Sequence, residues 1–253
     1  MLDTVIDLLN KVMPYAAMPM GLVFLVLVVL HAAKMLGFKP ALKMVGAGLL
    51  IAYALEEFGV HTGIIYGHYY FTEMMGPKLD VIPTALVCLW ILLLYLAYTI
   101  TNLILDGSPI QTNFSVKRII WGAVIGALIV TTIDLNADPF AADNGWWVWQ
   151  DGGAYYGVPY HNFVGWFFVA FVSYIAHGFQ LRREELPSLV DATKGVRILS
   201  IAPVAIYAVA TAAFLVINFN GQLGLITVYA LGIPLLLAIY KWIEWYKMEK
   251  QND

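Results

Sequence analysis

Apolar runs close to the length of a bilayer span recur along the chain, at about 14–33, 41–63, 81–105, 118–136, 161–181, 198–217 and 222–243. Each run predicts a transmembrane helix, and the polar stretches between them predict loops. The expected fold is all-α: a polytopic integral membrane protein of about seven helices, forming one domain over residues 1–253. The cations check this reading. Lys34, Lys39 and Lys43 fall in the first loop, and Lys117 and Arg118 in the third. Arg182, Arg183, Lys194 and Arg197 fall in the fifth, and Lys241, Lys247 and Lys250 at the C-terminus. The second loop has only Lys78, while the fourth and sixth have no Lys or Arg. Under the positive-inside rule, this alternation puts the N-terminus outside and the C-terminus in the cytoplasm of a multi-pass protein of the cell membrane. Asp3 and Asp7 precede the first run, so the start lacks the basic region of a cleaved signal peptide.

Composition agrees with the pattern. Of 253 residues, 61% are hydrophobic and 12% charged, and the mean hydropathy is +0.76. A water-soluble domain of this length needs far more polar surface. A net charge of -3 gives no footprint for nucleic acid. Cys88 is the single cysteine, which excludes an internal disulfide and a cysteine-based metal site.

The remaining polar residues are concentrated. Between Thr131 and Trp166 lie four aspartates, four tryptophans and three tyrosines. Asp134 sits deep in "IVTTIDL" and Asp138 one turn later. Pro139 biases Asp138 away from helical geometry, which predicts the end of the fourth helix about there. Glu56 and Glu57 lie in the outer half of the second helix, and His61 is placed to pair with Glu57. Glu56 has no basic residue within a helical turn. A carboxyl inside the hydrocarbon is costly and marks a cavity, a partner or a function. Asp143 and Asp151 stand among Gly and Asn and read as solvated. Trp242, Trp245 and Tyr246 fit an interfacial belt at the other face, and His31 and His177 read as structural. A belt does not call for three tryptophans within "GWWVW" beside flexible glycines, so part of that loop is expected to line a pocket.

Several chemistries drop out. Histidine-box di-iron enzymes need clustered imidazoles, whereas this chain has five histidines and no such box. Only His61, His68 and His161 share the outer face, which leaves a metal as a minority option and none assigned. A retinal Schiff base needs a lysine within the last helix, and "GLITVYALGIPLLLAIY" has none before Lys241. Phosphate loops, nucleophile elbows and redox motifs are absent. What remains is a cofactor-free site of carboxyls and aromatic rings. A protonated carboxyl can deliver a proton to an alkene, ring faces can steady the carbocation, and a second carboxylate can activate water. Composition leaves transport open as an alternative.

Two blocks carry a resemblance. "EEFGVHTGIIYGHYYFTEMMGPKLDVIP" holds Glu56, Gly59, Gly63, Gly67, Tyr69, Gly76–Pro77 and Pro83, with Trp90 in the next helix. "DLNADPFAADNGWWVWQDGGAYYGVPYHNFVGW" holds Asp134, Asp138–Pro139, Trp147, Trp149, Tyr156–Gly157, Pro159, Asn162 and Trp166. In this order they resemble the carotenoid biosynthesis membrane proteins, whose characterised members are carotenoid end-group hydratases. Phe71 departs from that pattern, which has a hydroxyl-bearing ring there. The resemblance implies cofactor-free addition of water across the terminal double bond of an acyclic or monocyclic carotenoid, giving a tertiary alcohol. It implies Glu56, Asp134 and Asp138 as catalytic residues, and Tyr69, Trp147, Trp149, Tyr156 and Asn162 as substrate-binding ones. The expected partners are the polyene, water, membrane lipid and other enzymes of the same pathway. The rival is a non-catalytic carotenoid or lipid carrier. Polar residues gathered at one face, rather than on both sides of the midplane, count against it.

Overall fold

A computed structural model describes residues 2–189, 193–218 and 222–251. Among them, seven helical stretches are long and apolar enough to cross a membrane, which makes this a multi-pass membrane protein. Helix α1 (Leu2–Leu36) carries Pro14 and Pro19 inside it and begins well before the predicted run. It is followed by α2 (Phe38–Thr62), α3 (Thr84–Asp106), α4 (Val116–Asp143) and α5 (Tyr160–Leu181). The sixth span joins α6 (Lys194–Leu199) to α7 (Ala202–Ile217). The seventh joins α8 (Gln222–Ile226), a π-helical turn at Thr227–Leu231 and α9 (Gly232–Gln251).

Helix α3 is the hub. It is apolar all round, and 83% of its membrane window is buried, as expected of a helix surrounded by others. It packs against α1, α2, α4, α7 and α9. The tightest pairing is α4 with α5, and small residues allow it. A Cβ added at Gly126 would lie 2.6 Å from the Tyr174 ring, and one at Gly178 would lie 2.6 Å from Ile119.

The fold is not purely helical. Strand β1 (Tyr69–Phe71) pairs antiparallel with β4 (Trp147–Trp149), in the register Tyr69↔Trp149 and Phe71↔Trp147. A smaller pair joins β2 (Lys78–Leu79) to β3 (Ile82–Pro83). "YYF" and "WVW" alternate as strands do: Tyr69, Phe71, Trp147 and Trp149 are buried, while Tyr70 and Val148 point outward. These pairs lie on one end of the bundle, the sheet-bearing face. At the opposite face Lys43 of α2 pairs with Glu184, just past α5.

Helix α4 does not stop at Asp138. It runs through Pro139 to Asp143. Proline has no N–H, so the carbonyl of Leu135, four residues earlier, loses its helical donor. The Tyr155 hydroxyl replaces it, donating to Leu135 O at 3.0 Å. With the helix intact, Asp134 and Asp138 project from the same face one turn apart.

Candidate active site

Four membrane helices, α2, α3, α4 and α5, and the β1–β4 pair build the surroundings of the buried acids. Gly63 ends α2, taking φ 69° and donating its N–H to Gly59 O at 2.8 Å. The chain then turns back beneath the sheet, which returns Tyr66 and Tyr69 to the helix they have just left. Glu56 of α2 is buried, and both of its oxygens accept hydrogen bonds. Oε1 receives the Tyr69 hydroxyl in a short bond, and Oε2 receives Trp90 Nε1 of α3 at 3.2 Å. Trp90 stacks on Trp166 of α5, with centroids 4.2 Å apart.

Asp134 and Asp138 are both buried, and one amide bridges them. Asn162 Nδ2 of α5 donates to Asp134 Oδ2 at 3.0 Å and, in a shorter bond, to Asp138 Oδ2. An amide has two hydrogens to give, one for each acid. Asp134 Oδ1 is buried, and no donor among the described residues bonds to it.

Tyr66 links the two groups. Its ring is held between α2 and α5, where a Cβ at Gly59 would lie 2.6 Å from it and one at Gly165 2.7 Å. Its hydroxyl lies beside Glu56 and within electrostatic reach of both aspartates, and Glu56 in turn acts on Asp134 and Asp138. Burial first, and then the Glu56 carboxyl, push the phenols of Tyr66 and Tyr69 well above their ordinary value. Tyr69 therefore donates to Glu56 as a neutral phenol, while the Tyr66 hydroxyl is buried with no hydrogen-bond partner among the described residues. Among the described residues, no Lys, Arg or His bonds to any of the three carboxyls.

The other predicted residues divide. Trp149 stacks on Tyr69 at 5.7 Å, and its Nε1 donates to Tyr66 O at 3.1 Å, so it clamps both phenols. Trp147 lies one layer out, edge-on to Phe71 and Trp146. Phe71, without a hydroxyl, packs its ring on Tyr69 at 5.1 Å. Tyr156 is not in the cluster. It is 48% exposed, takes φ 50° and meets only the Tyr155 edge among ring contacts. Its neighbour Tyr155 is the one that faces inward, against Phe163 and Leu135; burial, then Tyr156, pushes its phenol up to about 12.

Glu57 pairs with His61 at 2.8 Å, as its spacing predicts, and His61 also reaches Asp80 at 3.1 Å. These groups sit at the surface, apart from the buried acids. Tyr66 is the member that sequence reasoning missed, along with the roles of Trp90 and Trp166. A signal was present: Gly59 and Gly165 remove side-chain bulk from two helices where a large ring must enter.

Residues 17–239 match the carotenoid biosynthesis protein family. A curated relative, the bisanhydrobacterioruberin hydratase of Haloarcula japonica, is 28% identical over 138 residues. That alignment covers 54% of this chain and 44% of the relative, so it spans less than half the relative's length. No solved structure matches the chain. The chain belongs to the carotenoid biosynthesis protein family.

Proposed function

We propose that this protein is a carotenoid hydratase, adding water across the terminal double bond of an acyclic or monocyclic carotenoid. The observation that carries the reading is the contrast between Asp134 and Glu56. Glu56 has neutral donors on both oxygens, the arrangement that suits a carboxylate. Asp134 has one buried oxygen with no hydrogen-bond partner among the described residues, a position from which a proton can be handed on. Three carboxyls enclosed without a cation cannot all be ionised in a medium of low dielectric.

In the proposed reaction, Asp134 protonates the less substituted alkene carbon, which leaves a tertiary cation on its neighbour. The Glu56 carboxylate and the faces of Tyr66, Trp90 and Trp166 steady that charge. Asp138 takes a proton from water as the water oxygen bonds to the cation. One alkene and one water give one tertiary alcohol. The proton now on Asp138 returns to Asp134, one helical turn away beside the shared Asn162. Addition to two adjacent carbons suits two adjacent acids. Tyr69, Trp149 and Asn162 hold the carboxyls in place, and Trp147 backs the sheet. The polyene lies in the membrane with its reacting end at the sheet-bearing face, and the alternation of cations supports the outside for that face. The relative's name supports the reaction class, and the family supports the substrate class.

Expression in a host that accumulates acyclic carotenoid tests this. The wild-type chain is expected to yield the tertiary alcohol, and Asp134→Asn and Glu56→Gln to yield little. Near-normal conversion by both variants would remove these acids from the mechanism.

A further inference from the structure

Helix α3 separates the acid cluster from a second feature. Trp90 points from α3 toward α2 and α5, whereas Leu92, Tyr95 and Leu96 line a cavity of about 520 Å³ between α1, α3 and the α6–α7 segment. That size falls within the range of small-molecule sites, about 300–1,000 Å³. Its wall is almost wholly hydrocarbon, with Phe24, Val28 and Pro203 among the lining residues. Leu27, Leu30 and Ile206 on its rim are exposed, so it opens sideways to the bilayer.

Three polar side chains reach this space. His31 and Tyr95 are spent on each other. His31 Nε2 stands 3.0 Å from Leu199 O, and a carbonyl only accepts, so Nε2 carries the hydrogen. Nδ1 is then the acceptor, and the Tyr95 hydroxyl donates to it at 2.7 Å. This chain of bonds ties α1, α3 and α6 together behind the cavity. The third group is Lys34, three residues on from His31 toward the opposite face. Its side chain is exposed, and among the described residues it has no hydrogen-bond or ion-pair partner.

We propose that this cavity is a lipid site: it takes one acyl chain of an anionic phospholipid, whose phosphate pairs with the Lys34 ammonium. The chemistry selects that occupant. A hydrocarbon polyene would fill the apolar wall but leave the ammonium unmatched, and a zwitterionic lipid would bring its own cation to the rim. A phosphate carrying net negative charge matches Lys34 in a charge-assisted bond while the chain covers the wall. The site lies across α3 from the acids and toward the opposite face, so it does not depend on the hydratase reading.

Native mass spectrometry of the purified full chain tests the proposal, using nanodiscs of phosphatidylcholine containing a minor share of phosphatidylglycerol. The wild-type chain is expected to retain phosphatidylglycerol several-fold above its share of the bilayer. Lys34→Gln should bring retention down to that share, and Lys34→Arg should keep the enrichment. Ala202→Phe, which fills the cavity, should lose bound lipid of both kinds, with thermal unfolding reporting whether it folds. Equal enrichment in wild type and Lys34→Gln would overturn the proposal, as would no enrichment in the wild-type chain. Because Lys34 is exposed, the lysine variants keep the test decisive even where Ala202→Phe does not fold.

Discussion

Two of the places where the protein buries carboxyl groups treat them in opposite ways. Toward the opposite face, Arg118 of α4 forks onto Asp106 of α3. Its Nε donates to Oδ1 at 2.6 Å and its Nη2 to Oδ2 at 3.0 Å. Nη2 also donates to Asn102 Oδ1 at 2.8 Å. Each charge there has its counterpart, in the bidentate geometry that guanidinium favours. At the sheet-bearing face three buried carboxyls lie among aromatic rings with an amide, two phenols and an indole N–H, and among the described residues no Lys, Arg or His bonds to them. The first arrangement joins two helices. The second holds three carboxyls on neutral donors, which under the proposed function suits a site where a positive charge develops. Under the proposed function, the acids that no cation pairs with are the reactive ones, and the paired acid is structural.

Substitutions on each side separate the two. Asp134→Asn should lower hydration by roughly 100–10,000-fold, the usual worth of a general acid, while the melting temperature holds or rises because no cation loses its partner. Arg118→Met should do the reverse. Stranding a buried Asp106 costs about 3–5 kcal/mol, read as a fall in melting temperature, with conversion per folded molecule unchanged. A fall in stability for Asp134→Asn matching that of Arg118→Met would erase the distinction.

Tyr69→Phe should have the next largest effect. It removes a hydrogen bond to a charged group, worth about 1.5–3 kcal/mol, and turnover should drop more than substrate affinity because the carboxylate loses its orientation. Tyr155→Phe should be milder. It leaves the Leu135 carbonyl short of a donor beside Pro139, costing about 1 kcal/mol, and it should show as a small drop in both stability and turnover as α4 relaxes around its two aspartates. Tyr156→Phe should change neither, within about 0.5 kcal/mol, because that exposed ring takes no part in the cluster. A large loss of activity from Tyr156→Phe would show that the loop closes over the acids during turnover.

Much of this was readable in the chain because membrane burial exaggerates polar signals. Seven apolar runs mark the spans, and Glu56, Asp134, Asp138 and Asn162 stand out because hydrocarbon tolerates so few such groups. Asp134, Asp138 and Asn162 meet, and Glu56, with Tyr69 upon it, lies within electrostatic reach of the two aspartates. What could not be read depends on contacts distant in sequence. Pro139 looks like a helix end, and only a hydroxyl from residue 155 lets α4 continue. The pairing of "YYF" with "WVW" joins segments far apart, and three rings or apolar residues in a row carry no alternation that would announce a strand. Tyr155 and Tyr156 are adjacent and alike, and a positive φ at Tyr156 decides which one turns in. Tyr66 looks like one more interfacial ring until Gly59 and Gly165 are seen on either side of it.

The most direct measurement incubates purified protein with an acyclic carotenoid in heavy-oxygen water and weighs the product. One heavy oxygen atom in a tertiary alcohol at each reacted end, formed by the wild-type chain and hardly at all by Asp134→Asn, is the predicted outcome. Carotenoid recovered bound but chemically unchanged from the wild-type chain would contradict hydration and leave a carrier in its place.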